Sequence, residues 1–366
     1  MSKGRIVVAM SGGVDSSVAA CLLNEQGYQV IGVTMRLWSL SDPSAPPGQR
    51  GCCSVEDVDD ARRVCQVIGV PHYVMNFERQ FQRHVVDYFV GEYRRGRTPH
   101  PCIACNDRIK FDFLMQRAGL LDADLVATGH YARVQRDDAT GRLRLLKSVD
   151  HAKDQSYVLF GLSQRSLARL LLPVGEYTKA EVRGIAARAG LPVAGKPDSQ
   201  EICFIPTGDY RQFLRERIIP REGVIVDTRG TVVGRHQGVE FYTVGQRRGL
   251  GIASREPLYV VKVEPHSGRV VVGTRDELLQ GQLLASGVSY IAGEAPKAPL
   301  EVRAKVRYKA PEVAALLEPL PGHRAALHFH EPQRAITPGQ AVVFYDGPEV
   351  LGGGVIEEAE ACAAAV

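Results

Sequence analysis

Short apolar runs alternate with longer amphipathic stretches along roughly the first 200 residues of the chain. The β-branched and apolar runs predict strands at 5–9, 29–35, 72–76 and 124–128. Apolar residues at helical spacing predict helices over 15–26, 54–68, 80–94 and 109–118. Such alternation is typical of a parallel sheet covered by helices, so this part is predicted to be an α/β domain.

The pattern changes after about residue 205, where helical spacing fades. Short strand-like pieces separated by Gly, Pro and Asp are predicted at 223–226, 259–263, 270–273, 300–306, 324–328 and 340–344. Their spacing is typical of small β domains or of a barrel. With a boundary placed near residue 280, the expected domains are 1–205, 206–280 and 281–366.

Two segments are expected to lack regular structure. The stretch 39–51 (SLSDPSAPPGQRG) is rich in Pro, Ser and Gly, which predicts a mobile surface loop after a strand and makes it a candidate lid. The Ala- and Glu-rich tail 357–366 is predicted to fray.

Composition limits the class of protein. A chain of 366 residues with 45% hydrophobic content is expected to form two or three globular domains. Its first residues contain no signal-peptide core, and no apolar run approaches the ~20 residues of a membrane helix, so we expect a cytoplasmic protein without a membrane partner. The net charge of +4 permits a polyanionic partner through local patches but does not require one.

The eight cysteines are unevenly spaced in a large chain, which is not typical of a secreted disulfide framework. In a reducing compartment, paired cysteines indicate metal, cluster or thiol chemistry instead.

Residues 11–17 (SGGVDSS) lie between a predicted strand and a predicted helix. In this geometry backbone N–H groups and the positive end of the helix converge on an anion, while serine hydroxyls add donors. The alternative is a plain helix start, with Asp15 or Ser16 as the N-cap residue. The loop lacks the Gly-Lys-Ser/Thr of a P-loop, which argues against a kinase or GTPase.

The string Ser-Gly-Gly-x-Asp-Ser-Ser resembles the pyrophosphate loop of the ATP pyrophosphatase (PP-loop) family. This resemblance implies a doubly wound parallel sheet with the nucleotide at the carboxyl ends of the strands. It also implies that the chain transfers AMP to a carbonyl-type oxygen and releases pyrophosphate.

Cysteines at 102 and 105 form a Cys-x-x-Cys motif in "GRTPHPCIACNDRIKF" (96–111), placed just before a predicted helix. The helix N-terminus is expected to lower the pKa of a thiol there. A third candidate, Cys203, lies far along the chain in "GKPDSQEICFI" (195–205). A structural zinc site would need a fourth ligand, and Cys21 and Cys65 are expected to be ordinary buried cysteines.

A series of longer strings resembles the bacterial tRNA-specific 2-thiouridylase family. The strings are residues 96–111, "ATGHYAR" (127–133), "KDQSYVLF" (153–160), "DSQEICF" (198–204), "HQGVEFYTVGQRRGLGI" (236–252), "VRYK" (306–309) and "ITPGQAVVFYDG" (336–347). They cover almost the whole chain in order. The resemblance implies a PP-loop domain, a small central domain and a C-terminal β-barrel, the last two contacting tRNA.

The activity implied is ATP-dependent replacement of the C2 oxygen of the wobble uridine by sulfur in the tRNAs for lysine, glutamate and glutamine. Implied cofactors are ATP and Mg²⁺. The resemblance also implies a partner that donates sulfur, such as a cysteine desulfurase or a sulfur-relay protein. By the resemblance, the residues that bind ATP are Ala9, Met10, Ser11, Gly12, Gly13, Val14, Asp15, Ser16, Met35 and Gly129.

The resemblance also assigns the reacting groups. Cys203 would carry the persulfide sulfur and Cys105 would release it, with a disulfide as the product. His100, Pro101 and Cys102 would lie against the target base, with His130 beside the flipped nucleotide.

The chain departs from the family at Cys102, where many members carry an aspartate proposed as general base. A thiolate is one substitute for that base. Alternatively, Cys102, Cys105 and Cys203 together could hold a [4Fe–4S] cluster whose open iron carries hydrosulfide. Both routes remain open on the sequence.

Basic clusters at 94–97, 153, 211–221, 247–248 and 303–309 are candidate tRNA contacts, although most such charges only solvate a surface. The resemblance singles out Lys153, Asp154, Gln155, Arg307, Tyr308 and Gln340. Tyr308, between basic residues, is suited to stacking on a base.

Two other function classes compete with thiolation. One is another PP-loop synthetase, either amide-forming or a tRNA lysidine synthetase, which needs no cysteine. The other is a non-enzymatic iron–sulfur or RNA-binding protein that has kept the fold.

Overall fold

The structure is a computed structural model of the chain, and it describes residues 3–38, 55–198, 202–205 and 208–360. The predicted loop and lid at 39–51 lies outside the described residues, as do Cys52 and Cys53. None of the described helices is long and apolar enough to cross a membrane.

The first part of the chain alternates strands and helices. The strands are β1 (Arg5–Ala9), β2 (Gln29–Arg36), β3 (His72–Asn76), β4 (Leu125–Ala127), β5 (Ala132–Arg136), β6 (Leu143–Lys147) and β7 (Leu170–Leu171). The helices are α1 (Val14–Glu25), α2 (Val55–Val67), α3 (Glu78–Phe81), α4 (Asp87–Arg94), α5 (Pro101–Ala104), α6 (Leu114–Ala118), α7 (Gln164–Leu167) and α8 (Lys179–Arg188). The predicted strands therefore exist within a few residues of their expected bounds.

Five of these strands form a parallel sheet in the order β3-β2-β1-β4-β7. Helices α1, α2 and α8 pack on one face, and the helical chain from α3 to α6 packs on the other. The sheet is therefore doubly wound, as the sequence predicts. Because its strands are parallel, their carboxyl ends meet at one edge, where such sheets bind ligands.

Two helical stretches differ from the prediction because they contain π-helix. The predicted helix 80–94 consists of α3, a π-helical turn at Gln82–Val86, and α4. The predicted helix 109–118 begins earlier, at α5, and continues through a π-helix at Cys105–Phe113 into α6. Hydrophobic spacing does not separate the two windings, and π-turns occur often at functional sites.

The rest of the chain is mostly β. After α9 (Tyr210–Arg215), its strands are β8 (Gly223–Asp227), β9 (Val232–His236), β10 (Tyr259–Glu264), β11 (Arg269–Gly273), β12 (Leu279–Tyr290), β13 (Leu300–Lys305), β14 (Val313–Leu320), β15 (Arg324–Arg334), β16 (Ala341–Asp346) and β17 (Glu349–Glu360). Strands β8 to β11 form a four-stranded sheet around a small core of its own.

The strands from β12 to β17 form a closed six-stranded barrel. They follow the order β12-β15-β14-β13-β16-β17, and β17 pairs back with β12. This pairing includes Gln282 with Glu360. The expectation that the tail frays from residue 357 is therefore wrong up to residue 360, because these residues close the barrel; residues 361–366 are outside the described part.

One hairpin links the two halves of the molecule. Strands β5 and β6 belong to the first part of the sequence, yet β6 pairs with β17 of the barrel through Val350–Leu145 and Glu349–Leu146. Core residues of the α/β domain also pack against barrel residues, including Val343 and Tyr345. The barrel is thus fixed directly to the α/β domain.

Candidate functional site

The loop between β1 and α1 has the geometry of an anion site. Gly12 has a φ of +70°, and a Cβ atom there would lie 2.3 Å from the carbonyl oxygen of Asp57, so only glycine fits. Gly13 is the N-cap residue of the twelve-residue helix α1, which corrects the alternative of Asp15 or Ser16 as cap. The first N–H groups of the helix have no intrahelical acceptor, and an anion can supply one.

Serine hydroxyls fix the shape of this loop. The Ser16 hydroxyl accepts a hydrogen bond from the backbone N–H of Ser11 at 3.1 Å. The Ser17 hydroxyl donates to the carbonyl oxygen of Gly13 at 2.8 Å. Side chains of the loop and of the first turn of α1 therefore help to fix the loop's conformation.

The predicted ATP residues lie together at the carboxyl ends of β1 and β2. Ala9 ends β1, the N–H of Met10 donates to the carbonyl of Val33 at 2.8 Å, and Met35 lies near the end of β2. Gly129 approaches α1 so closely that a Cβ atom on it would be 2.5 Å from the nitrogen of Ser16. The structure thus brings the residues from 9 to 16, Met35 and Gly129 to one edge of the sheet.

Asp15 has partners that the sequence analysis missed. The ammonium group of Lys179 donates to both carboxylate oxygens of Asp15, at 2.7 and 2.9 Å, and the Tyr131 hydroxyl donates to it at 2.8 Å. The signal available in the sequence was Thr178-x-x-Glu181, a capping box that places Lys179 in the first turn of α8. A lysine at this position can pass from the carboxylate to a phosphate.

Asp198 joins this site to the segment that leads to Cys203. Its carboxylate accepts from Lys153, Lys179 and Arg183, each at 2.9 Å. Burial alone would raise the pKa of this carboxyl, but the hydrogen bonds from Lys153 and Lys179 outweigh burial and lower it to about 2. Asp198 is therefore ionised at neutral pH and holds three cations beside the loop.

Lys196 supports the other side of the loop. Its ammonium group donates to the Gly12 carbonyl at 3.0 Å and to Asp57 and Asp60 at 2.7 Å each. Burial lowers the pKa of Lys196, and the two carboxylates reverse this and raise it. With its charge balanced by two carboxylates, Lys196 ties α2 to the loop.

The three candidate cysteines differ in their surroundings. Cys102 is exposed. Cys105 is buried in the core between the parallel sheet and the helices α3 to α6, and Cys203 is half-buried against that core. The described cysteines form no disulfide bond. Cys21 and Cys65 are buried, as expected, in the core between the parallel sheet and the helices α1, α2 and α8. Burial raises the pKa of each thiol to about 11.

The structure gives no support to the [4Fe–4S] alternative among the residues that it describes. Within the ranges the structure describes, no three His, Cys, Asp or Glu side chains are grouped so that they could hold a metal ion. We therefore treat Cys102, Cys105 and Cys203 as thiols.

The expected lowering of the Cys102 pKa is wrong. Cys102 lies in the first turn of α5, but that helix has only four residues. Although its side chain reaches solvent, the protein packed around it raises the pKa of the thiol, and Lys110 only partly opposes this. Lys110 is another residue that the sequence analysis missed: its side chain is half-buried, and its ammonium group makes no hydrogen bond or ion pair with any described residue.

His100, Tyr157 and Tyr308 form an aromatic cluster next to Cys102. The His100 ring lies 5.9 Å from the Tyr157 ring and 6.1 Å from the Tyr308 ring. Burial lowers the pKa of His100 to about 4, so the imidazole is neutral at pH 7, and its Nδ1 is buried without a partner among the described residues. A neutral ring with an open nitrogen is suited to hydrogen bonding with a base.

His130 lies between the nucleotide loop and the cysteine segment. It follows Gly129, which contacts α1, and its ring lies 6.4 Å from Phe111 on the helical segment of Cys102. Its Nδ1 is 2.7 Å from the Thr128 hydroxyl, and burial together with Lys110 lowers its pKa well below the usual value. The nucleotide loop and the cysteine segment are therefore two sides of one site.

The predicted tRNA contacts are placed around this site, but several bind protein groups. Lys153 pairs with Asp198, the Asp154 carboxylate accepts from the Ser156 hydroxyl, and the Gln155 side chain accepts from the Tyr131 N–H. The Tyr308 hydroxyl donates to the Asp154 carbonyl at 3.3 Å. Arg307 donates to the Ala335 carbonyl and to the Thr337 hydroxyl, and Gln340 donates to the Thr98 carbonyl.

Three family models match the chain. They are a tRNA methyl transferase HUP domain over residues 4–207, a tRNA methyl transferase PRC-barrel domain over residues 211–274, and an aminomethyltransferase β-barrel domain over residues 280–356. The first of them covers more than half of the chain.

Full-length relatives carry a shared name. A protein of Pelotomaculum thermopropionicum named tRNA-specific 2-thiouridylase MnmA is 52% identical over 98% of this chain and 98% of its own. Proteins of the same name from Moorella thermoacetica and Geobacter metallireducens are 55% and 53% identical, over 96% and 98% of this chain and 99% and 98% of theirs. This chain therefore belongs to the tRNA-specific 2-thiouridylase family.

Proposed function

We propose that this chain acts in the cytoplasm as an ATP-dependent tRNA thiolation enzyme, which replaces the C2 oxygen of the wobble uridine with sulfur in the tRNAs for lysine, glutamate and glutamine. The name of its relatives supports the reaction class. The observation that carries the proposal is the position of Thr128 to His130, between the anion loop at Ser16 and the segment of Cys102. An activated phosphate and a cysteine can therefore reach the same base.

The nucleotide half-reaction rests on the loop. Its N–H groups and the end of α1 bind the phosphates, and Asp15 is the carboxylate that would hold Mg²⁺ together with phosphate oxygens. The metal, when bound, neutralises charge on the leaving pyrophosphate. Lys179 then exchanges its contact with Asp15 for one with phosphate. The uridine O2 attacks the α-phosphorus, and the bond to pyrophosphate breaks.

We assign Cys102 as the general base that takes the proton from N3 of the uridine. Only its thiolate can do so, and the raised pKa of the thiol makes that form a minority at neutral pH. Lys110 favours the thiolate, while His100 and Tyr308 hold the flipped base by a hydrogen bond and by ring stacking.

The sulfur half-reaction uses the other two cysteines. The terminal sulfur of a persulfide on Cys203 attacks C2, and AMP leaves. The Cys105 thiolate then attacks the Cys203 sulfur, which releases the 2-thiouridine and leaves a disulfide for an external thiol to reduce. A partner protein, a cysteine desulfurase or a sulfur-relay protein, supplies the persulfide sulfur.

The organisation proposed for this reaction has three parts. Residues 1–205 bind ATP and carry out the chemistry, while residues 206–280 and 281–366 contact the tRNA. The residues proposed to contact tRNA directly are His100, Pro101, Cys102, His130, Lys153, Asp154, Gln155, Arg307, Tyr308 and Gln340. The roles rest on the resemblance and on the clustering of His100 with Tyr308 beside Asp154.

The test compares Cys203→Ser with Cys21→Ala, a change at a buried cysteine outside the site. In a strain lacking this chain, nucleoside mass spectrometry of tRNA is expected to show loss of 2-thiouridine derivatives. The wild type and the Cys21→Ala variant should restore them, and Cys203→Ser should not. Full restoration by Cys203→Ser would exclude thiolation through this cysteine.

A further inference from the structure

Arg183 shares one face of α8 with Lys179, the lysine that binds Asp15. The two residues are four positions apart, and side chains at this spacing lie next to each other on a helix. Val182 and Ala186 of the same helix are fully buried in the core beside α1. The half-buried Arg183 side chain therefore extends from a rigid support.

The guanidinium group of Arg183 binds three residues of one segment, 194–198. It donates to the Ala194 carbonyl at 2.9 Å, to the Lys196 carbonyl at 3.0 Å and to the Asp198 carboxylate at 2.9 Å. The segment is neither helix nor strand, so its carbonyls need donors from elsewhere in the protein. A planar guanidinium offers five N–H donors in a fixed arrangement, which a lysine ammonium group does not reproduce. Arg183 thus fixes the path of this segment.

Lys196 connects the segment to the nucleotide loop. Its ammonium group donates to the Gly12 carbonyl at 3.0 Å. The peptide unit between Gly12 and Gly13 is planar and trans, so fixing this carbonyl also fixes the direction of the Gly13 N–H. Gly13 is the N-cap residue of α1, where the N–H donors available to an anion begin. The place of Lys196 therefore affects how the loop presents its N–H groups.

Asp198 connects the same segment to the other side of the loop. Its carboxylate binds Lys179, and the Lys179 ammonium group also binds Asp15. Pro197 lies between Lys196 and Asp198, and its ring fixes its own φ and restricts Lys196 before it. A displacement of the segment therefore reaches the loop through both side chains.

We propose that Arg183 is a positioning residue for ATP, which holds residues 194–198 so that Lys196 and Asp198 keep the nucleotide loop in shape. Its donors are directed at protein groups, and it acts on the phosphates only through the loop. This inference rests on the proposed function for the binding of ATP, whereas the hold on the segment and the loop is a property of the free protein.

The test uses Arg183→Lys, which keeps the charge but loses the fixed arrangement of donors. Arg188→Lys is the matched control, because Arg188 is an exposed arginine on the same helix. Lys196→Met is made alone and in combination with Arg183→Lys. Two quantities are measured: the Kd for ATP without tRNA, and the rate of backbone amide hydrogen exchange in the free protein, followed by mass spectrometry over residues 9–17 and 191–198.

Arg183→Lys is expected to raise the Kd for ATP about tenfold, since small misplacements of binding groups cost that much. Exchange should become several-fold faster at the Lys196 N–H, which donates to the Val193 carbonyl, and at the Ser11 N–H, which donates to the Ser16 hydroxyl. Arg188→Lys should change neither quantity.

The double variant shows whether Arg183 acts through the segment. Lys196→Met should weaken ATP binding in the otherwise wild-type protein. It should weaken binding clearly less in the Arg183→Lys background, because the displaced segment no longer places Lys196 on the Gly12 carbonyl.

Three results would overturn the proposal. The first is an unchanged Kd for ATP in Arg183→Lys, and the second is unchanged amide exchange at both positions. The third is a weaker Kd to which Lys196→Met adds its full effect, which would make Arg183 a direct ligand of the phosphates.

Two further outcomes also decide the matter. If Arg183→Lys does not fold, Lys196→Met alone tests the same hold from its other end, and wild-type ATP affinity or wild-type exchange at Ser11 in that variant would overturn the proposal. If the wild-type protein does not bind ATP, the proposed function fails, while amide exchange at Lys196 and Ser11 still shows whether Arg183 holds the segment and the loop.

Discussion

Lys110 is a half-buried cation without a described partner, on the same continuous helical segment as Cys102. One α-turn and one π-turn together span roughly eight residues, so Lys110 and Cys102 lie on the same side of this helical segment. Helical side chains lean toward the N-terminus, which directs the ammonium group toward the thiol. Leaving such a charge unpaired costs stability, and sites that do so commonly serve function.

Replacing Lys110 with Met is expected to raise the pKa of the Cys102 thiol further, since the cation is the group that lowers it. The pH profile of Cys102 alkylation should therefore move to higher pH, with a several-fold lower rate at pH 7. The tRNA-dependent pyrophosphate release should fall with it, while the Tm stays equal or rises.

Lys110→Arg provides the control for this change. It keeps the charge and should retain most of the alkylation profile. A Lys110→Met variant with a wild-type profile would show that the ammonium group does not act on Cys102.

At the scale of elements, the contact between the end of β4 and the start of α1 holds the nucleotide loop in place. Gly129→Ala would put a methyl group 2.5 Å from the Ser16 nitrogen, so one of the two elements must move. We expect ATP affinity to fall on the order of tenfold or more, because the N–H groups of the loop lose their alignment. Equilibrium binding of ATP without tRNA measures this effect.

Gly119→Ala is the matched control, since a Cβ atom there meets nothing within 4 Å and Gly119 has a negative φ. It should bind ATP like the wild type. Equal affinities for both variants would contradict the role given to the Gly129 contact.

The elements that the sequence analysis identified are those whose signal is local. Strands β1 to β3 are apolar runs bounded by glycine or polar residues, and the anion loop can be identified from seven adjacent residues. Strand β17 was missed because three consecutive glycines interrupt its apolar pattern. The hairpin of β5 and β6 was missed because the strand it pairs with, β17, lies about 200 residues further along the chain. Lys179 was missed for the same reason, because its partner Asp15 is 164 positions away.

At the scale of the whole molecule, the barrel and the α/β domain share a core. On β16, Val343 packs into the core of the α/β domain, while its neighbour Val342 faces the interior of the barrel. Alternation along a strand directs these two side chains to opposite faces. Because both faces of β16 are buried, removing either the barrel or the α/β domain would expose apolar side chains of the other.

We therefore expect cooperative unfolding across this boundary, and Trp38, the single tryptophan, is a probe for one side of it. It packs against Phe81, Phe204 and Phe213, far in sequence from the barrel. Val342→Ala should destabilise the barrel interior by about 1–3 kcal/mol. If the parts unfold together, this change lowers the midpoint seen by Trp38 fluorescence as much as the midpoint seen by circular dichroism.

Val343→Ala is the companion variant, because its side chain faces the shared core and should shift both signals in either case. The informative result is thus the response of Trp38 to the change at Val342. A Trp38 transition that stays at the wild-type temperature, while the circular dichroism transition moves, would show that the barrel unfolds alone. Coincident shifts would mean that the barrel and the α/β domain unfold as one cooperative unit, as their shared core predicts.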